Sequence, residues 1–255
     1  MTPTITFANL TSTYKQFHLS PMFITYEEFC RRADAVRADI AAACVRAGRA
    51  PGEVGLLAVT KNHPPAAAEY AARYGLPAVG ENRVQEGVDK RAATTAEVRW
   101  ELIGHLQSNK AKLAATHFDR VQTADSEKLL RLLDRAAGEA GKILPVLLQI
   151  NAGRDPAKFG IELEDTPRLL DTALVQSHLK VEGFMTIAPL SDDTSVATRT
   201  FTTLRELRDR LAGETGALLP ELSMGMSGDF AGAIAAGSTL VRIGTALYGE
   251  REPAP

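Results

Sequence analysis

Leu56-Leu57-Ala58-Val59-Thr60-Lys61 is an apolar run that ends on a single amine, and Asn62-His63-Pro64-Pro65 follows at once. Proline lacks an amide donor, fixes its own φ and restricts the residue before it, so a strand entering this sequence must stop. Side chains of an extended chain alternate between faces, which places Leu57, Val59 and Lys61 together and Leu56, Ala58 and Thr60 opposite them. Lys61 thus shares its face with core residues. An amine at the rim of an apolar interior loses hydration of its charged form, so its pKa falls and the neutral nucleophile becomes available. A Schiff base with an aldehyde requires that state. The alternative is a solvated lysine that merely follows a strand, since lysine is rarely fully buried.

Outward from this strand the pattern repeats. Upstream, Tyr26, Phe29, Cys30, Ala33, Val36, Ile40 and Cys44 recur at helical spacing and predict an amphipathic helix. Downstream, the spacing predicts helix over 64–74, strand over 76–82, helix over 83–91, strand over 98–104, helix over 108–115 and strand over 120–123. Asp125 or Ser126 stands where a cap is needed, before a helix with Leu129, Leu130, Leu133, Ala136 and Ala137 on one side. A strand over 144–150 precedes Thr166-Pro167, an expected N-cap with proline at the first helical position. Strands over 180–187, 221–225 and 240–244 complete the series, separated by a helix marked by Ala197, Phe201, Leu204, Leu207 and Leu211 and by a short one over 228–236.

Strands separated by helices run parallel with right-handed crossovers, and a parallel sheet is covered on both faces, which accounts for strands that are nearly all apolar. Eight such units within 255 residues is the arithmetic of a single-domain α/β protein, a (β/α)8 TIM barrel with an extra N-terminal helix. A doubly wound open sheet is the alternative, because periodicity does not reveal closure. Residues 1–21 read as a disordered extension and 22–255 as the barrel, with Met22 a candidate start.

Acidic residues number 31 against 29 basic ones, without a block of like charge, so the footprint of a general nucleic-acid binder is missing. No run of 18 apolar residues is available to span a bilayer, and the first 20 residues lack a secretory pattern. Cys30 and Cys44 fall in one helix, too far apart along its axis to pair, which suits reduced thiols in the cytoplasm.

In a barrel the strand ends that carry chemistry lie on one face. Lys61, Asn82, Gly104, Asn151, Thr186, Ser227, Gly244 and Thr245 are the residues expected there. Met226-Ser227-Gly228-Asp229 and Gly244-Thr245-Ala246 combine glycines, hydroxyls and helix starts after the last two strands, where this architecture commonly binds phosphate. Taken singly, Ser227 as a helix cap and Gly244 as a turn are the simpler account. Arg242 lies between Val241 and Ile243 in a strand buried on both faces, so it needs an acceptor inside the barrel. That acceptor is either a carboxylate such as Glu81 or Asp229, or a ligand atom. An amine, a phosphate cradle and a buried guanidinium suit an aldehyde with a phosphate and a ring nitrogen, features that pyridoxal 5′-phosphate combines. An arginine keeps its proton, so such a ring stays unprotonated and is a poor electron sink.

Seven motifs occur in one order: Ala58-Val59-Thr60-Lys61; Gly80-Glu81-Asn82 with Gln85-Glu86; Ile103-Gly104-His105-Leu106-Gln107-Ser108-Asn109-Lys110; Lys158-Phe159-Gly160; Gly183-Phe184-Met185-Thr186-Ile187-Ala188-Pro189; Met224-Gly225-Met226-Ser227-Gly228-Asp229-Phe230; and Val241-Arg242-Ile243-Gly244-Thr245-Ala246. From Tyr26 to Arg251 the chain closely resembles the pyridoxal phosphate homeostasis protein family. The resemblance implies a barrel similar to the N-terminal domain of bacterial alanine racemases, with the cofactor's Schiff base on Lys61. It also implies phosphate contacts from Ser227, Gly244 and Thr245, a pyridine-nitrogen contact from Arg242, and Asn82 near the cofactor. The family is regarded as a cofactor carrier or buffer without settled enzymatic activity, which points to apo pyridoxal-phosphate enzymes as recipients and to a monomer or weak dimer. Glu101 departs from the pattern, since relatives often have histidine after the tryptophan.

The expected function is therefore pyridoxal phosphate homeostasis. One feature behind it is that the chain stops soon after the eighth unit, without the second domain from which alanine racemases draw a catalytic tyrosine. The alternative is a pyridoxal-phosphate-dependent amino-acid racemase with Lys61 as one base and His105 as the other, although a lone histidine is a weak signal. A lysine-dependent aldolase that needs no cofactor is the third reading.

Overall fold

Helix α1 (Tyr26–Arg46) precedes strand β1 (Gly55–Val59), which ends before Lys61 as the two prolines require. The remaining strands are β2 (Ala78–Glu81), β3 (Arg99–Leu102), β4 (Arg120–Ala124), β5 (Leu144–Gln149), β6 (Leu179–Met185), β7 (Glu221–Ser223) and β8 (Leu240–Ile243). Between them lie α2 (Ala66–Tyr74), α3 (Val84–Ala92), α4 (Ala111–His117), α5 (Glu127–Glu139), α6 (Thr166–Leu174), α7 (Thr194–Thr215) and α8 (Phe230–Ala235), and α9 (Thr245–Tyr248) follows the last strand. This computed structural model describes residues 23–250; the expected extension over 1–21, Met22 and residues 251–255 lie outside them.

Each strand pairs in parallel with the next, and β8 returns to β1 with Leu57 opposite Arg242 and Ala58 opposite Ile243, so the sheet is a closed barrel. That closure excludes the open doubly wound sheet. No helix among the described residues is long and apolar enough to cross a membrane.

Alternation divides each strand between two environments. Leu56 and Ala58 face the helices, together with Trp100, Leu102, Val121, Val146, Leu148, Leu222, Val241 and Ile243, in the main apolar layer. Leu57, Val59, Ala78 and Ile103 form a small separate cluster in the barrel interior. The rest of that interior is largely polar, with Glu101, Arg120, Gln122, Gln149, Ser223 and Arg242 all buried beside Leu147 and Met185. The strands are thus less uniformly apolar than the sequence reading holds; most of the departure lies on the inward face, with Glu81 of β2 and Thr123 of β4 as buried polar residues on the other.

Helix α5 buries the five apolar residues expected of it, each large side chain contributing about 1.5–3 kcal/mol. Ser126 caps it by accepting from the Leu129 amide at 3.4 Å, while the Asp125 carboxylate turns to His105. Thr166 is not an N-cap. A 3-10 turn over Leu163–Asp165 runs straight into α6, so Thr166 is already helical and its hydroxyl donates back to the Glu162 carbonyl at 3.0 Å. Cys30 and Cys44 are both unpaired; Cys44 is buried and Cys30 only half-buried.

Candidate functional site

Beyond Val59 the chain turns: the His63 amide donates to the Thr60 carbonyl at 3.1 Å, and Asn62 adopts a left-handed φ of 60°. Both neighbours of Lys61 are held from outside the barrel. Lys90 Nζ, on α3, donates to the Thr60 carbonyl at 2.7 Å and to Glu81 Oε1 at 2.6 Å, and Glu86 Oε1 accepts from the Asn62 amide at 2.5 Å. Thr60 Oγ1 donates to Glu81 Oε1 at 2.6 Å. Burial pushes the Glu81 carboxyl above its ordinary range against the pull of Lys90. Lys61 itself is half-buried and lines a cavity of about 480 Å³ at the barrel mouth. That volume falls within the roughly 300–1,000 Å³ of ligand pockets.

Asn82 follows β2 and lines the same cavity. A methyl group on Gly104 would lie 2.1 Å from the Asn82 carbonyl oxygen, so only glycine lets the ends of β2 and β3 close so tightly. Ser227, Gly244 and Thr245 line the cavity as well. Ser227 lies two residues before the N-cap position of α8, which is Asp229, so it is not a cap; Asp229 Oδ1 instead accepts from the Met226 amide at 2.6 Å. Gly244 occupies the N-cap of α9 without a side-chain cap, and a methyl group there would press to 3.3 Å against Val59. Leu247 and Tyr248 already donate to the Gly244 carbonyl at 2.9 Å, so the first-turn amides without an intrahelical acceptor are those of Thr245 and Ala246.

Arg242 reaches the cavity floor from β8 and is only 4% exposed. Neither carboxylate suggested by the sequence hydrogen-bonds it. Nη1 donates to the Ser223 carbonyl at 2.6 Å and hydroxyl at 2.8 Å, and Nη2 donates to the Thr186 carbonyl at 2.9 Å. Glu81 points outward, to Lys90, because it follows Gly80 on the alternate face of β2; Asp229 holds its own turn. Burial lowers the Arg242 pKa to about 10, with only the distant Asp229 opposing, so the guanidinium stays protonated at neutral pH.

All six residues singled out by the sequence as ligand contacts therefore line one cavity, but Asn151 and Thr186 do not. Asn151 donates to the Asp155 carbonyl and Glu162 and pins the loop after β5; the Thr186 hydroxyl donates to the Ile150 carbonyl at 2.8 Å. Gln149 was missed by sequence reasoning. Its signal is a polar residue closing the apolar strand β5 on the inward face. Nε2 donates to the Phe159 carbonyl at 3.0 Å, and Oε1 is buried with no partner among the described residues. Phe159 stacks on His105 at 3.8 Å, and His105 Nδ1 lies 3.4 Å from Asp125, whose carboxyl burial raises. The wall carries Lys61, Lys158 and Arg242 and, among the described residues, no carboxylate, which favours an anionic ligand.

Residues 32–252 match the family model described as alanine racemase, N-terminal domain. The pyridoxal phosphate homeostasis protein of Aquifex aeolicus is 38% identical over 224 residues, 88% of this chain and 98% of that protein. Its Escherichia coli K12 namesake is 41% identical over 225 residues, 85% of this chain and 94% of that one. The structure of PipY from Synechococcus elongatus with pyridoxal phosphate bound is similar at a TM-score of 0.76 and 35% identity, covering 87% of this chain and all of that one. On matches of this length and identity, the chain belongs to the pyridoxal phosphate homeostasis protein family, built on the alanine racemase N-terminal domain.

Proposed function

We propose that the barrel, residues 22–255 in the sequence reading, binds pyridoxal 5′-phosphate at its mouth through Lys61 and acts in the cytoplasm as a carrier or buffer for that cofactor. The observation that carries the reading is the meeting of Lys61, Arg242 and the Ser227, Gly244 and Thr245 wall in one cavity free of carboxylates among its described residues. The cofactor, when bound, supplies an aldehyde carbon and an electron-withdrawing ring. Lys61 Nζ is the nucleophile for that carbon. Its backbone is clamped on both sides by Lys90 and Glu86, which fixes where the amine emerges. Arg242 keeps its proton and donates to the ring nitrogen. The Ser227 and Thr245 hydroxyls, with the open first turn at Gly244, suit the phosphate. Asn82 contributes a polar group near Lys61, and Gln149 Oε1 is an acceptor for a ligand donor.

A guanidinium that keeps its proton at neutral pH favours holding the cofactor over carbanion chemistry. The recipients are apo pyridoxal-phosphate enzymes, served by a monomer or weak dimer. The test is the absorbance spectrum of protein loaded with pyridoxal phosphate. A visible band, abolished by borohydride, with the reduced adduct mapped to Lys61 and lost in Lys61→Ala, is the expected result; an adduct on another lysine such as Lys158, or none, overturns it. Steady exchange of the α-proton of an L-amino acid in heavy water would favour the racemase instead.

A further inference from the structure

The hydrogen bonds of Arg242 do not stop at Ser223. The Ser223 hydroxyl donates to Gln122 Oε1 at 2.6 Å, Gln122 Nε2 donates to Glu101 Oε2 at 2.6 Å, and the same carboxylate oxygen accepts from Arg120 Nε at 2.8 Å. Arg120 then reaches Glu182 at 3.3 Å and Glu221 at 3.6 Å, at the start of the strands. Polar side chains thus link the barrel mouth to its opposite end. Glu101, Arg120, Gln122, Ser223 and Arg242 are each more than nine-tenths buried.

Polar groups out of water must find partners, and a chain of them is stable only when every link is satisfied. The direction of this chain follows from chemistry. An ionised carboxylate accepts and cannot donate, so the Gln122 amide must turn its NH2 to Glu101 and its oxygen to Ser223. The Ser223 proton then points to Gln122, and the lone pairs of its oxygen are left for Arg242. Glu101 stands two strands and two side chains from Arg242, yet it decides which way each group between them faces.

We infer that Glu101 and Gln122 are positioning residues for Arg242, the carboxylate setting the polarity of an interior hydrogen-bond chain that orients the guanidinium toward the ligand. The ligand end of this inference rests on the pyridoxal phosphate reading; the orientation of Arg242 does not. The inference gives Glu101, the departure from the family pattern, a defined role in this chain.

The test compares wild type with Gln122→Met, Glu101→Gln and Ser223→Ala in isotope-labelled, ligand-free protein, reading the Arg242 guanidinium N–H resonances, while pyridoxal phosphate titration gives Kd and denaturant midpoints report folding. Separate, slowly exchanging Arg242 signals are expected in wild type. They should shift in Glu101→Gln, whose amide lets Gln122 reverse, and merge in Gln122→Met and Ser223→Ala. Kd should rise about fivefold in Gln122→Met, the worth of roughly one hydrogen bond, with the Lys61 adduct still formed. A side chain that merely fills space would leave the Arg242 signals in place. Arg242 signals that superimpose on wild type in Gln122→Met, or in Ser223→Ala should Gln122→Met not fold, overturn the inference. Wild type that takes up no pyridoxal phosphate would sink the functional reading, and the guanidinium spectra would still decide this one.

Discussion

Arg242 and Arg120 project into the same barrel interior from β8 and β4, and their surroundings move them in opposite directions. Burial pulls the Arg120 pKa down, but Glu101, Glu221 and Glu182 together push it higher than an ordinary guanidinium. Arg242 has only neutral hydroxyl and carbonyl partners, and burial lowers it to about 10. Holding its charge there costs on the order of 3 kcal/mol at neutral pH. One end of the barrel is electrostatically complete without a ligand, and the other keeps a cation in deficit facing the cavity. Stability is concentrated at the start of the strands and recognition at their ends, the division expected of this architecture.

The sharpest way to break that contrast is at Lys61. Lys61→Ala should abolish the borohydride-trapped adduct altogether, seen by mass spectrometry, while the thermal midpoint falls by less than about 4 °C, as for a substitution of under about 1 kcal/mol. A large loss of stability would make the mouth part of the structural frame. At the other end, Arg120→Met leaves the buried Glu101 and the half-buried Glu221 without their cation, while Glu182 keeps Lys180, and should cost about 3–5 kcal/mol in urea unfolding, the usual result of breaking a buried pair. The matching change at the mouth, Arg242→Met, should cost less than about 1 kcal/mol or even stabilise, because a buried ion is replaced by an apolar chain. Its cofactor affinity should fall. Equal losses for the two methionine variants would erase the comparison.

The sign of the Arg242 contribution can be followed with pH. A cation with a lowered folded pKa is protonated in both states below about pH 10, so its cost there is constant. Above that pH the folded chain sheds its proton first and the cost fades, so stability relative to Arg242→Met should rise. The smallest effect concerns Glu81, a carboxyl raised mainly by burial. A raised folded pKa means that the folded state holds the proton more firmly, so wild type should gain stability relative to Glu81→Gln as pH falls toward the ordinary carboxyl range. Parallel curves for the two proteins would show that Lys90 fully offsets the burial of Glu81.

Much of this arrangement was legible in the chain because its causes are local. The strand that ends at Val59 stops where Pro64 and Pro65 demand it, and Lys61 continues the inward face of Leu57 and Val59 by simple alternation. The buried stripe of α5 follows from its helical spacing. The N-cap of α6 was misread because a preceding 3-10 turn, which depends on the packing of the β5–α6 loop, carries the helix through Thr166. Asn151 and Thr186 were placed at the mouth by their position after strands, yet their side chains turn to neighbouring backbone.

By itself, then, the sequence determined the number and order of strands, the residues on each face, and the identity of the groups that gather at one end, since all of these depend on spacing along the chain. Only the tertiary structure decided that β8 closes on β1, that Arg242 takes Ser223 and Thr186 in place of Glu81 or Asp229, that Gln149 joins the cavity, and that Gln122 bonds Ser223 across 101 residues of sequence. The physical reason is that a buried polar group takes whichever partner folding brings within hydrogen-bond distance, and separation along the chain carries no information about that distance.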